Sequence, residues 1–300
     1  MTHHYGYVSA LSAALLFGIS STLNKIALRN VHPLVVAGSI YLTAGIVLML
    51  LRFTPLKDKI LKRLEFKAET QETFSKRDFL LLALIVLFGS FLAPLSFMLG
   101  LNKTTAVNAS LLLNTETLFT VLIAILVFKE KVSRRSITGI LLILTGAAVI
   151  STESFGDVEL ARGVIGNLLI ILAGLSWAVD NNLSKLLSVK RDLLLVTSLK
   201  GLFGGSALLI LASLIGIPLY IPLQSLPYIL TAGAFSIGFS IVLFLFALRE
   251  IGTMKTGAIF STSSLIGALF AFLILGESFT EVKAFFGVLM FLGVYILSIE

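Results

Sequence analysis

Apolar runs close to twenty residues long recur along the whole chain, and a helix of about that length crosses the roughly 30 Å hydrocarbon layer of a bilayer. Ten such segments can be marked, at residues 5–28, 33–52, 79–101, 105–128, 135–151, 163–185, 193–216, 226–248, 254–275 and 282–299. Soluble domains carry about 25% charged residues. This chain has 13% charged against 57% hydrophobic residues, and a mean hydropathy of +1.02. The predicted fold class is therefore an all-α integral membrane protein with ten transmembrane helices.

The net charge of +7 would suggest nucleic acid in a soluble protein. Here the basic residues fall in connections between apolar runs, so they report topology and no nucleic-acid partner is expected. With the N-terminus inside, cytoplasmic connections hold 17 Lys and Arg residues. These include Arg52, seven in the polar stretch 53–78, Lys129, Arg134, Lys185, Arg191 and Arg249. The opposite side holds four: Arg29, Lys103, Arg162 and Lys283. The positive-inside rule then places both termini in the cytoplasm of a multi-pass cell-membrane protein. The stretch 53–78 reads as a solvated loop that anchors this topology, or as a short amphipathic helix on the membrane face.

The chain also repeats itself. A shift of 147 places Leu101 on Leu248, Thr115 on Thr262, Leu118 on Leu265, Glu130 on Glu277 and Gly146 on Gly293. Nearer the front of each half, a shift of 160 places Phe17 on Trp177, Leu23 on Leu183 and Lys25 on Lys185. Two units follow, 1–152 and 153–300. Each has five helices, an odd number, so the two must cross the membrane in opposite senses. Inverted repeats of this kind build many secondary transporters, with a site near mid-membrane between them.

The halves differ at one position that matters chemically. Glu116 lies near the middle of the fourth segment, and the shift puts Ser263 at the matching place. A carboxylate at that depth costs at least ~2.5 kcal/mol, so such residues usually have a partner or a function. Glu116 can exchange a proton as a cavity opens to each side, pair with an amine on a cargo, or bond to a neighbouring helix. Thr120 lies one turn further along the same face, with Asn108 and Thr115 nearby. In the sixth segment Trp177 and Asp180 share a face, followed by Asn181. Lys200 on the next segment lies at a depth that allows an ion pair with Asp180. Ser261 and Thr262 begin a polar run in the ninth segment and offer hydroxyls to a cargo or to their own helix. Substrate-binding candidates are therefore Glu116, Asn108, Thr115, Thr120, Trp177, Asp180, Asn181, Ser261 and Thr262. Lys25 and Lys185, near helix ends, are expected to snorkel to headgroups. Glu130 and Glu277 are read as anchors for neighbouring helix ends, and Pro94 should kink the third helix.

Several chemistries find no support. There is no cysteine, and the histidines His3, His4 and His32 lie outside or at the rim of the apolar segments. That leaves no interior histidine for a metal site or a catalytic triad. No phosphate-binding G-x-x-x-x-G-K-[ST] motif occurs. No cofactor is expected, and the chain is not read as an enzyme.

The stretches LLFGISSTLNKIAL (15–28), GLSWAVDNNLSKLL (174–187), SLLLNTETLFTVLIAILVFKEKV (110–132) and STSSLIGALFAFLILGESF (261–279) resemble paired patterns of the drug/metabolite transporter superfamily, and of its EamA-type members in particular. Many members carry a proline in the stretch where this chain reads Thr117 and Ser264, so a local helix break is not expected there. The resemblance implies an exporter-like fold with helices 1, 3, 4, 6, 8 and 9 around a central cavity. The expected function is secondary active transport of a small metabolite, amino acid-like or drug-like, by alternating access and in the export direction. Protons are the candidate coupling ion, and the lipid bilayer is the other partner. A passive channel is the alternative, although charge rings or filter-like loops are not evident. A lipid-modifying enzyme fits less well.

Overall fold

The computed structural model describes residues 3–55, 75–129, 133–152, 160–188 and 193–298. Among the described residues every regular element is helical. In chain order these are α1 (Tyr5–Ala27), α2 (Pro33–Arg52), α3 (Lys76–Leu101) and α4 (Ala106–Val127), then α5 (Arg134–Thr152), α6 (Leu160–Ser188) and α7 (Leu193–Leu214). After them come α8 (Leu226–Ala247), α9 (Ser263–Leu275) and α10 (Glu281–Ser298). Among the described residues seven stretches, those of α1–α4 and α6–α8, are long and apolar enough to cross a bilayer. Large apolar side chains such as Leu126, Leu141, Phe203 and Phe272 point outward. A helix apolar on every side is buried in protein or in lipid, so the bundle is membrane-embedded. Most of the polar stretch 53–78, including the amphipathic-helix reading of it, lies outside the described residues, as does Glu130.

Caps mark the helix starts. Ser75 accepts from the Asp78 N–H (3.2 Å) while Asp78 accepts from the Ser75 N–H (2.9 Å), a reciprocal box that opens α3. Pro33 begins α2, where its missing N–H costs little, and His32 Nδ1 accepts from the Leu34 N–H.

Pairs of helices approach closely where glycines face one another. α2 crosses α7 with Gly45 against Gly201 and Gly38 against Gly205. A Cβ on Gly201 would lie 2.7 Å from both the Gly45 nitrogen and the Tyr41 carbonyl oxygen. Without a hydrophobic drive between helices in lipid, such small-residue contacts supply the packing. α5 and α10 pack in the same way, through Gly139 and Gly293.

Five irregularities shape the interior. α3 widens to π register over Val86–Leu92, so that the Ala93 N–H bonds to the Phe88 carbonyl just before Pro94. The kink expected at Pro94 thus takes the form of a π segment, a recognised cause. α8 does the same over Ala232–Phe239 without a proline. α4 is interrupted at residues 113–114, between helices Ala106–Leu112 and Thr115–Phe128. A matching interruption at 261–262 precedes α9. Neither break uses a proline. Thr115 Oγ1 donates to the Leu112 carbonyl and Thr262 Oγ1 to the Ile259 carbonyl, and such local bonds compete with the helical ladder. The helix Ser240–Phe260 also turns back on itself. Sixteen residues of straight helix rise about 24 Å, yet the Phe244 and Phe260 rings lie 4.9 Å apart.

Candidate functional site

The irregular segments surround a cavity of about 380 Å³, within the range of small-molecule sites. Its wall is built where α1, α2, α3, α4, α6, α7, α8 and the turn before α9 meet. α2 contributes Tyr41, Ala44 and Leu48; α7 contributes Thr197, Lys200 and Gly201. The π segments deliver Gly89 and Ser90 from α3 and Ile237 from α8, with Ser240 just beyond it. Phe17, Phe244 and Phe260 form a cluster of rings on one side, with centroids 5.2 Å apart for Phe17–Phe260.

Three polar arrangements define the chemistry. Glu116 begins the second leg of α4, and its Oε1 accepts from Asn181 Nδ2 at 2.7 Å. Lys200 Nζ donates to both carboxylate oxygens of Asp180, at 2.7 and 2.6 Å, and Ser184 Oγ donates to Asp180 Oδ1. The pairing left open by the sequence is therefore made. Asp180 is only 5% exposed, and a charge buried that far needs a partner. Trp177 Nε1 donates to Tyr41 Oη (3.2 Å) and to the Gly89 carbonyl (3.1 Å). The π register presents that carbonyl to the indole. Gly89 cannot be larger, because a Cβ there would collide with the Asp180 carboxylate.

Of the residues nominated from sequence, Glu116, Trp177, Asp180, Asn181 and Ser261 line this cavity together. Asn108, Thr115, Thr120 and Thr262 lie outside its wall. Thr120 Oγ1 donates to the Glu116 carbonyl (2.8 Å), and the Thr115 and Thr262 hydroxyls are likewise turned onto their own helices. Asn108 is 2% exposed, and its Oδ1 has no hydrogen-bond partner among the described residues. Sequence reasoning overlooked Tyr41, Thr197 and the three phenylalanines. The spacing of Thr197 and Lys200, one turn apart on α7, was the available signal for Thr197; the phenylalanines give none among 23 in the chain.

The cavity occupies one half of the bundle; the other end is fastened. Lys25 Nζ donates to the Leu101 (2.6 Å) and Thr104 (2.5 Å) carbonyls, tying α1 to the end of α3. This corrects the snorkelling expected of Lys25: the last carbonyls of a helix lack intrahelical donors, and the ammonium fills that need. The side chain of Lys185 lies outside what is described. Thr104 Oγ1 donates to Asn167 Oδ1 on α6 at 2.5 Å. Gly276 ends α9 at φ +66°, a left-handed turn that glycine adopts freely. The turn brings Glu277 Oε2 to the Val107 N–H (2.9 Å) at the start of α4. Glu277 thus bonds a neighbouring helix end. Beyond the Tyr41–Trp177 pair lies a second space of about 20 Å³, bordered by Ser20 and Asn24.

Comparison with known proteins agrees with this architecture. A protein of Methanothermobacter thermautotrophicus named as an uncharacterized transporter is 43% identical over 298 residues, covering 99% of this chain and 87% of the relative. An uncharacterized transporter of Clostridium kluyveri is 25% identical over 94% of this chain and 89% of its own length. One solved crystal structure matches with a TM-score of 0.67 over 99% of this chain and 97% of the other, at 13% identity, and so shares the fold. The sequence model of the EamA-like transporter family matches residues 4–152 and 164–299. Matched along nearly its whole length, this multi-pass membrane protein belongs to the EamA-like transporter family.

Proposed function

We propose that the chain is a secondary active transporter that exports a small solute across the cell membrane by alternating access. The observation that carries this reading is the asymmetry of the bundle: toward one end a cavity whose Glu116 carboxyl has no cationic partner among the described residues, and a fastened opposite end. On this reading the positive-inside rule would turn the cavity half and both termini toward the cytoplasm, as an inward-facing state requires.

Two inverted five-helix units, 1–152 and 153–300, would supply the moving parts, rocking about the cavity. Several features support that symmetry. The π segments Val86–Leu92 and Ala232–Phe239 coincide within one residue under the sequence shift of 147, as do the interruptions at 113–114 and 261–262. Repeat-related helices also pack as pairs: α2 on α7, the first leg of α4 on α9, and α5 on α10. All ten helices would then span the membrane.

Proton coupling would act through Glu116, which binds a proton on one side of the cycle and releases it on the other. Reconstituted vesicles test both levels. Ligands found by thermal shift should show saturable counterflow, and a non-saturating flux would make the protein a pore. Gradient-driven transport should vanish in Glu116→Gln; an unchanged pH-dependent flux removes the proton from the mechanism.

A further inference from the structure

We infer that the cargo site selects an apolar amine and discriminates against solutes that carry a carboxylate, amino acids included. The inference rests on the transporter reading and concerns the same cavity. It follows from how the wall's charges are already engaged.

Three side chains of the charged types line the cavity, two acidic and one basic: Glu116, Asp180 and Lys200. Lys200 is committed. Its single ammonium touches both oxygens of Asp180, at 2.6 and 2.7 Å, and Ser184 adds a further donor to the same carboxylate. The pair is neutral overall, and separating it would leave a buried charge unpaired, which is strongly unfavourable. Lys200 is the one cation in the described wall, so a cargo carboxylate would find no uncommitted positive group there. It would also face Glu116.

Glu116 is differently placed. Its one hydrogen bond is from a neutral amide, Asn181, to Oε1; Oε2 receives none among the described residues. The wall therefore carries one carboxyl group with no cationic partner among the described residues, and a cargo ammonium supplies that partner through a charge-assisted bond. The rest of the wall suits an apolar body attached to that ammonium. Phe17, Phe244 and Phe260 form contacting rings, and Trp177 has its N–H satisfied by Tyr41 and Gly89. With the polar edge occupied, what the indole offers a cargo is its ring, and aromatic faces attract cations. Ser240 is engaged as well, its hydroxyl donating to the Ala13 carbonyl.

The test uses two probes that share a benzyl group and an amine and differ in one carboxylate: 2-phenylethylamine and phenylalanine. Binding is measured by thermal shift and by isothermal titration on the intact detergent-purified chain. 2-Phenylethylamine should bind at least ten-fold more tightly than phenylalanine. Glu116→Gln, which keeps the volume of the side chain, should weaken the amine ten-fold or more. Asp180→Asn releases the Lys200 ammonium and should narrow the preference by improving phenylalanine; its melting temperature is recorded to confirm that it is folded. Equal or tighter binding of phenylalanine by the wild type overturns the proposal, as does full retention of amine binding in Glu116→Gln. Absence of binding by the amine also overturns it. Saturable counterflow of phenylalanine would refute the amine preference while leaving the carrier intact, whereas failure of every solute class to counterflow would remove the carrier itself.

Discussion

At one end of the bundle, polar groups meet each other; at the other, they meet a cavity. Lys25, Thr104 and Glu277 spend their hydrogen-bonding capacity on backbone carbonyls, an amide oxygen and a backbone N–H of neighbouring helices. Asn181 donates to Glu116 Oε1 within the wall of a space of about 380 Å³, and Glu116 Oε2 accepts from no donor among the described residues. The two ends carry similar residue types. What separates them is whether the partner is a fixed helix end or a vacancy that a solute can fill. A fastened end resists opening by the sum of its bonds, and a lined cavity leaves binding energy available to a ligand.

The contrast depends on the α2–α7 crossing, and the largest effect should come from breaking it. In Gly201→Val the new Cβ meets the Gly45 nitrogen and the Tyr41 carbonyl, backbone atoms that cannot swing away. Overpacking costs about 1–3 kcal/mol where side chains can yield, and here they cannot. The melting temperature in detergent should fall by several degrees. An unchanged value would mean that the two helices do not touch as described.

Because the chain has no cysteine, the two ends can be compared directly by labelling. Thr197→Cys, in the cavity wall, should react with a soluble maleimide at least ten-fold faster than Ser20→Cys, beyond Trp177. Similar rates would erase the distinction between an open and a fastened end.

Part of this difference was legible in the chain. Apolar runs fix the helices, and a lone acid at mid-run marks Glu116, because both signals are local. The Asp180–Lys200 pair was foreseeable from matched depths on consecutive helices. Glu116–Asn181 was not, since the partners lie 65 residues apart and no periodicity links them. Hydroxyls misled for a different reason. A threonine reads the same whether it faces a solute or, like Thr115 and Thr120, its own helix. The π segments also escaped notice: Pro94 hints at one, but nothing in AGAFSIGF (232–239) announces the other. Lys25 was assigned to headgroups because its distance along the helix allowed it. The carbonyls of Leu101 and Thr104 are visible only once α3 is in place.

Lys25→Met sharpens the comparison by loosening one end alone. Hydrogen bonds to a charged group contribute about 1.5–3 kcal/mol each, less where water replaces them at a rim. The methionine keeps the apolar stem but donates nothing to Leu101 or Thr104. Labelling of Ser20→Cys should rise several-fold in this background, with Thr197→Cys unaffected. If Ser20→Cys stays as protected as before, the lysine does not fasten that end.

The smallest effect should come from Glu277→Gln, and its smallness is informative. The amide oxygen of glutamine can still accept from the Val107 N–H, so the bond that joins the end of α9 to the start of α4 survives. What is lost is the attraction of a full negative charge for the positive end of a helix, worth about 0.3–1 kcal/mol. The melting temperature should drop by a degree or two, and Ser20→Cys labelling should stay within about two-fold. Glu277→Ala removes the acceptor as well, leaving Val107 N–H without its partner, and should approach the effect of Lys25→Met. Should glutamine prove as damaging as alanine, the charge itself would be holding that end together, and the bond to Val107 would be incidental.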